Sequence, residues 1–368
     1  MPHRPVLAAL MMALFAALAC SSPAAQPAVQ APAGQSNAGQ TGGQAPANSP
    51  PQTISKVTYG EVGSASDAGV YIADAKGYFR DQGIELDKVR FQSAAEMVAP
   101  LGIGQLDVGG GAPSAGLMNA VAREVSVKIV ADKGNLTPGF GFQAMMIRKE
   151  LVDSGAVKGP GDLKGRPFAN SGQGITPEVA IDAYLKSGGL SFSDVNIVLM
   201  GFPDMVQAFA NGSIDAAQII EPFATQASEA GSAVIVKRND ELVPRQQVAV
   251  IMYSPKFAAE QTDVARRFML AYVKGLRDYN DAFVKKNAAK RDEIIDILIN
   301  ATTVKSRPLY DKIVMPGLDP NGKVNTPSLE ESQTFWLARG IQQQKVDLTT
   351  VIDNQFTDWA VQQLGPYN

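Results

Sequence analysis

The sequence predicts an α/β fold of two lobes, each built on a mostly parallel, doubly wound sheet. Two observations support this prediction: strand and helix patterns alternate along the chain, and one helix-to-strand segment occurs twice. Residues 56–62 form a β-branched run, residues 67–78 carry apolar side chains at helical spacing, and residues 84–91 form a second strand-like run. This β-α-β order favours parallel strands joined by crossover helices. The chain beyond residue 54 is long enough for two domains of ordinary size.

A helix, a glycine turn and a short strand occur twice in the chain, 108 positions apart. The matched pairs are Met97 and Met205, Val98 and Val206, Gly104 and Gly212, and Asp107 and Asp215. The equal spacing within the two copies favours two lobes of similar topology. Chance similarity between two amphipathic helix-to-strand junctions is the alternative.

The N-terminal part of the chain is predicted to direct and tether the protein. Residues 1–19 contain an apolar core too short for a membrane span, as in a signal peptide. Leu18-Ala19-Cys20-Ser21 resembles the lipobox of bacterial lipoproteins, which predicts lipidation of Cys20; an ordinary secretory signal is the alternative. Residues 20–54 are then the lipidated cysteine and a disordered tether, because residues 21–53 contain no charged side chain and cannot build a core.

The amino-acid composition excludes several classes of function. The one cysteine, Cys20, and the one histidine, His3, both precede residue 21. The rest of the chain therefore has no thiolate nucleophile, imidazole base or His or Cys metal ligand, and we expect no enzyme activity, no cofactor and no metal. The formal net charge of −3 at pH 7 argues against a nucleic-acid partner. Binding of a small-molecule solute is the function that remains.

Four loops are predicted to face one cleft, because ligands of open α/β sheets bind beyond the carboxyl ends of the strands. These loops are residues 63–67, 110–114, 170–176 and 219–223. Helix capping by Ser114 and compensation of a helix dipole by Glu221 are the structural alternatives. The predicted ligand-binding residues are Ser64, Ser66, Tyr71, Gly111, Ala112, Pro113, Ser114, Asn135, Ser171, Gly172, Gln173, Thr176, Glu221 and Phe223.

Several motifs in this order resemble the substrate-binding proteins of the nitrate, sulfonate and taurine class of ABC importers. The residues that match the first helix of that class are Ala73, Gly77, Tyr78, Phe79, Gly83 and Ile84. Residues 104–109, 162–165 and 221–223 resemble the same class. The superfamily is also similar to the enzyme that makes the thiamine pyrimidine from its own histidine with the help of a cysteine-rich segment. That activity is excluded here, because no His or Cys follows residue 20.

The resemblance implies a type II periplasmic-binding-protein-like fold with a helical C-terminal part, whose two lobes close on a solute by hinge motion. Lobe 1 is expected to comprise residues 55–142 and 251–368, and lobe 2 residues 143–250. The resemblance also implies a monomer that delivers its solute to an ABC permease and its ATPase. The lipid anchor would be its only membrane attachment, at the extracytoplasmic face of the bacterial cell membrane.

The charges near the four loops determine the expected solute. None of the loops contains Lys or Arg, whereas Glu61, Asp67, Asp204 and Glu221 lie in or beside them. These carboxylates would oppose an anion, so we expect an organic solute with hydrogen-bond donors: a pyrimidine or other vitamin precursor, or a flavin. A receptor for taurine, alkanesulfonates or a nitrate-type anion is the alternative. A ligand-sensing domain and a carboxylate-only hydrolase using Glu61 and Glu221 are alternatives from other classes.

Overall fold

The computed structural model describes residues 54–367. The predicted signal peptide, Cys20 and the tether up to residue 53 lie outside the described residues. The strands are β1 (Ser55–Glu61), β2 (Ile84–Arg90), β3 (Val108–Gly111), β4 (Lys128–Asn135), β5 (Gln143–Arg148), β6 (Pro167–Asn170), β7 (Asn196–Leu199), β8 (Ala216–Ile220), β9 (Ala233–Arg238) and β10 (Gln247–Tyr253). The α-helices are α1 (Ala68–Ala75), α2 (Tyr78–Asp81), α3 (Val98–Gly102), α4 (Ala115–Val121), α5 (Lys149–Asp153), α6 (Glu178–Ser187), α7 (Phe202–Asn211), α8 (Phe223–Glu229), α9 (Asn239–Leu242), α10 (Pro255–Glu260), α11 (Thr262–Phe283), α12 (Ala288–Ala301), α13 (Thr326–Ala338) and α14 (Gln355–Leu364).

The strands form two five-stranded sheets with the same arrangement. The first sheet has the order β2-β1-β3-β10-β4, and the second has the order β7-β6-β8-β5-β9. In each order the fourth strand runs antiparallel to both neighbours, and the other four strands are parallel to one another. The predicted α/β class with mostly parallel sheets is therefore confirmed. The chain crosses between the sheets through residues 136–142 and 239–246, so the predicted lobe boundary at residue 251 falls inside β10.

The sequence repeat corresponds to equivalent places in the two sheets. β3 and β8, which follow the two copies, are each the third strand of their sheet. Asp107 accepts hydrogen bonds at 2.9 Å from the backbone N–H and the hydroxyl of Thr58, on the neighbouring strand β1. Asp215 forms ion pairs with Arg148 at 2.9 Å and Arg166 at 2.8 Å. Each matched aspartate thus holds the residues directly before the central strand of its sheet in place through these contacts.

Both faces of each sheet are covered by a hydrophobic core, which is what a doubly wound sheet requires. In β10, Ile251 and Tyr253 pack on one face and Val250 and Met252 on the other. The strand β5 alternates in the same way between two cores of the second sheet. Side chains that alternate between faces with a period of two account for both pairs of cores.

The C-terminal part is mostly helical and packs on the first sheet. Side chains of α11 share a core with β1, α1 and α14. Trp336 of α13 is fully buried in the core on the opposite face of that sheet. Within residues 54–367, no helix has both the length and the apolar character needed to cross a membrane. The same residues contain no group of three or more His, Cys, Asp or Glu side chains placed to hold a metal ion.

Helices α1 and α11 approach closely at Gly275. A Cβ atom added there would lie 2.2 Å from the carbonyl oxygen of Gly69 and 3.1 Å from the Cβ of Ala73. We expect Gly275→Ala to lower the free energy of unfolding by roughly 1–3 kcal/mol, because the helices would have to separate. Urea denaturation followed by circular dichroism measures this change. Gly159→Ala is the control, because an added methyl group there meets no atom within 4 Å; equal losses in the two variants would contradict the close packing.

Candidate ligand-binding site

A small cavity lies where the carboxyl ends of strands from both sheets meet. Its volume accessible to water is ≈ 30 Å³. Val62, after β1, and Gly111, at the end of β3, line it from the first sheet, and Ser171, after β6, and Ile220, at the end of β8, line it from the second. This is the position at which open α/β sheets bind their ligands.

Backbone hydrogen bonds join the two sides of the cavity. The N–H of Ala115, at the start of α4, donates to the carbonyl of Gly174 at 2.7 Å. The N–H of Ala65 donates to the carbonyl of Glu221 at 2.9 Å. Loops that are far apart in the sequence therefore meet, and the cleft between the sheets is closed.

The predicted ligand-binding residues fall into three groups. Those that line the cavity are Ser64, Ser66, Gly111, Ala112 and Ser171. Those that are buried without lining it are Tyr71, Pro113, Ser114, Gly172, Thr176, Glu221 and Phe223. Gln173 is exposed, and Asn135 lines a separate pocket of ≈ 570 Å³ together with Arg245 and Asp319. The structure thus brings together serines and glycine from three of the four loops.

Ser114 and Glu221 make contacts that stabilise local structure. Ser114 Oγ accepts a hydrogen bond from the N–H of Leu117 at 3.1 Å and so caps α4. The fully buried Glu221 carboxylate accepts from Arg238 Nη1 at 2.8 Å and from the N–H of Thr225 at 3.0 Å. These contacts occupy both side chains, and their direct contact with a solute stays a prediction.

A buried ion pair lies directly behind the cavity wall. Lys133 Nζ, on β4, is 2.9 Å from Asp67 Oδ1 and donates to Ser66 Oγ at 2.9 Å, and both charged side chains are fully buried. The Tyr59 hydroxyl donates to Asp67 Oδ1 at 2.9 Å, and the N–H of Ser64 donates to Asp67 Oδ2 at 2.9 Å. A buried carboxylate needs such compensation by a cation and by hydrogen-bond donors. The network fixes the loop that carries Ser64 and Ser66.

The Lys133 ammonium also determines what the two serine hydroxyls offer to a solute. An ammonium group only donates, so Ser66 Oγ accepts from Lys133 and keeps its own hydrogen for Ser64 Oγ, 2.8 Å away, or for a solute. Ser64 and Ser66 both line the cavity. A hydroxyl that accepts from a cation is a better donor, because its dipole is polarised by the charge. This corner of the cavity therefore suits a hydrogen-bond acceptor on the solute.

The two glutamates near the cavity are also paired with cations. Arg90 Nη2 lies 3.0 Å from Glu61 Oε1, and Arg238 pairs with Glu221. Burial raises the pKa of Glu61 above its ordinary value, and Arg90 opposes that rise. Three of the four carboxylates that the sequence places in or beside the loops are thus paired with a cation, and the fourth, Asp204, is exposed. The cations belong to β2, β4 and β9, so a search of the four loops could not find them.

Other lining residues were not among the predicted site residues. They include Ser93, Ala94, Phe142, Gln143 and Phe202. Ser93 Oγ accepts from the N–H of Ala95 at 3.3 Å, which is the capping role that its Ser-Ala-Ala-Glu pattern indicates. The Phe202 ring stacks on Phe223 with 6.0 Å between centroids. Capping and core packing produce the same sequence signals with or without a cavity, so the sequence could not separate the two roles.

The architecture is that of two-lobed binding proteins. The alkanesulfonate-binding protein SsuA from Xanthomonas axonopodis pv. citri, solved with MOPS bound, matches with a TM-score of 0.64 and 16% identity, over 83% of this chain and 99% of that chain. The desulfurization enzyme DSZB matches with a TM-score of 0.56 and 17% identity, over 84% of this chain and 99% of that one. The shared feature is the fold, which serves both binding proteins and an enzyme.

The sequence places the chain in a family. The family model described as NMT1/THI5 like matches residues 64–282, and the chain belongs to this family. A Brucella abortus protein named as a binding protein is 26% identical over 213 residues, which are 57% of this chain and 62% of that protein, less than two thirds of its length. A Bacillus subtilis protein named for binding aliphatic sulfonates is 24% identical over 303 residues, 79% of this chain and 84% of that protein. The resemblance to the nitrate, sulfonate and taurine class is confirmed.

Removing Lys133 would leave the Asp67 carboxylate buried without its cation. We expect Lys133→Met to lower the free energy of unfolding by about 3–5 kcal/mol, as measured by urea denaturation at pH 7. In an Asp67→Asn background the same replacement should have a much smaller effect, because no buried charge is left unpaired. Equal losses in the two backgrounds would show that the ion pair is not the stabilising feature.

Proposed function

We propose that the protein is the extracytoplasmic solute-binding component of an ABC importer. The observation that carries this proposal is the cavity enclosed by loops of both sheets, in a chain whose crossings at residues 136–142 and 239–246 suit a hinge. A solute held by both lobes stabilises the closed form, and the permease and its ATPase would recognise that form. The names of the Brucella and Bacillus relatives support a binding role.

The solute we propose is a small sulfonate with a short carbon chain, either an anionic alkanesulfonate or the zwitterion taurine. Ser64 Oγ donates to Asp67 Oδ2 at 3.3 Å, so the Ser66 hydroxyl, which accepts from Lys133, is the group that would donate to an acceptor of the solute. Glu61, Asp67 and Glu221 are each paired with a cation and oppose an anion less than free carboxylates would. The side chains of Phe142 and Phe202 form an apolar part of the cavity wall. This proposal replaces the pyrimidine, vitamin precursor or flavin that the sequence suggested. The name of the Bacillus relative and the ligand class of SsuA support this choice.

We propose binding without chemistry. Neither histidine nor cysteine follows residue 20, so no imidazole or thiol is available to the cavity. Glu61 and Glu221, the pair considered for a carboxylate-only hydrolase, are each bound to an arginine. The likeness to DSZB is one of fold and carries no activity to this chain.

We propose that lipid attached to Cys20 holds the protein at the extracytoplasmic face of the cell membrane, as a monomer. The uncharged composition of residues 21–53 supports a tether between that anchor and the folded part. The partners are then the solute, the permease and the ATPase, with no nucleic acid.

A thermal-shift screen of the purified protein tests the proposed solute. We expect ethanesulfonate or taurine at 100 times its dissociation constant to add about 2.7 kcal/mol of stability, which shifts the melting temperature by a few degrees. At the same concentration, nitrate, aminopyrimidines and riboflavin should produce smaller shifts, because their dissociation constants would be larger. A shift with a pyrimidine or riboflavin alone would restore the preference drawn from the sequence, and no shift with any compound would contradict the proposed solute class.

Calorimetry of a serine variant locates the bound solute. Ser66→Ala should weaken sulfonate binding roughly tenfold, because it removes one hydrogen bond to a charged group. Ser154→Ala is the matched control, because Ser154 is an exposed hydroxyl at the end of α5 that bonds only to nearby carbonyls. Equal affinities of the Ser66→Ala variant and the unaltered protein would place the solute elsewhere.

A further inference from the structure

A second set of contacts joins the two halves of the molecule outside the cavity. Arg339 directly follows α13, which packs on the first sheet, and its Nη1 donates to Glu178 Oε2 at 2.6 Å. Glu178 begins α6, which packs on the second sheet. The Glu178 side chain is 3% exposed and that of Arg339 is 27% exposed. The ion pair therefore crosses the closed cleft and is partly shielded from water.

Two aromatic rings hold the same guanidinium. The Arg339 guanidinium carbon lies 3.8 Å from the ring centroid of Phe192 and 5.3 Å from that of Phe335. Phe335 belongs to α13, whereas Phe192 follows α6 in the second half. A cation over an aromatic face is attracted by the ring quadrupole. Arg339 thus contacts the second half through both a carboxylate and a ring.

Opening of the cleft would break both contacts and leave Glu178 with weaker partners. Its carboxylate would keep two neutral donors, the side-chain amide of Asn170 at 3.4 Å and the backbone N–H of Gly174. Burial raises the pKa of Glu178 above its ordinary value, and the Arg339 guanidinium opposes that rise. Separation of a buried pair costs more than separation of an exposed one. The exposed pair of Lys312 and Glu229, which also joins the two halves, should contribute less.

We propose that Arg339 is a positioning residue that holds the closed arrangement without touching the solute. It acts through Glu178, which lies next to the loop whose Ile175 and Pro177 line the cavity. The inference rests on the proposed binding function, because a solute binds the closed form. A fall in the closed fraction then raises the apparent dissociation constant by the same factor.

Spin-label distances without any solute test this inference separately from the proposed function. Cys20→Ser removes the one native cysteine, and Ile103→Cys and Leu199→Cys place labels on exposed positions, one in each half. Double electron–electron resonance then reports the ratio of closed to open molecules in the full chain. We expect Arg339→Gln to lower that ratio about tenfold or more. No solute needs to be known, so a failed solute screen leaves this test intact.

Control and partner variants make the outcome specific. Arg307→Gln is the matched control, because Arg307 pairs with Asp292 and Asp296 inside the C-terminal part, and it should leave the distances unchanged. Glu178→Gln should open the cleft as Arg339→Gln does, and the double variant should open it little further. Unchanged distances in Arg339→Gln, additive effects in the double variant, or an unaltered protein that is already open would each overturn the inference.

Discussion

The buried pair of Lys133 and Asp67 is the interaction on which the candidate site depends. Two charges with no exposure to water are tolerated only when they compensate each other and their remaining hydrogen-bonding positions are filled. Tyr59 and the backbone of Ser64 fill those positions and fix the loop after β1. Gly110 is needed beside them, because a Cβ atom there would lie 2.2 Å from the Tyr59 hydroxyl. The serines that line the cavity thus take their positions from a network behind it.

Ion pairs of this kind also keep unpaired carboxylate charge away from the surface of the cavity. Asp67, Glu61 and Glu221 each have a cation from a strand, so the cavity presents hydroxyls and apolar groups where the sequence suggested free carboxylates. Closure of the cleft uses other groups: backbone hydrogen bonds beside the cavity, and the contacts of Arg339 at its outer edge. The proposed solute contacts and the contacts of Arg339 therefore involve different side chains, although closure and solute affinity remain thermodynamically linked.

The sequence was informative where local patterns determine structure. Alternating strand and helix signals and the repeat of Asp107 at Asp215 predicted two similar sheets, and glycine- and serine-rich loops predicted part of the cavity. The sequence could not show that Lys133 belongs to the site. Nothing in the residues around a strand lysine indicates that its side chain pairs with Asp67, 66 positions away. The sequence likewise could not show that Asn135 lines a different pocket. Tertiary contacts of strand residues decide such pairings, and one sequence does not contain them.

We propose that both sheets hold one solute, whose hydrogen-bond acceptors face the serines in front of Lys133. The most direct measurement is a crystal structure of the protein with ethanesulfonate. We expect sulfonate oxygens within hydrogen-bonding distance of Ser64 and Ser66, with the ethyl group toward Phe142 and Phe202. Ethanesulfonate bound instead in the pocket of Asn135 and Arg245, or to one sheet with the cleft open, would contradict it.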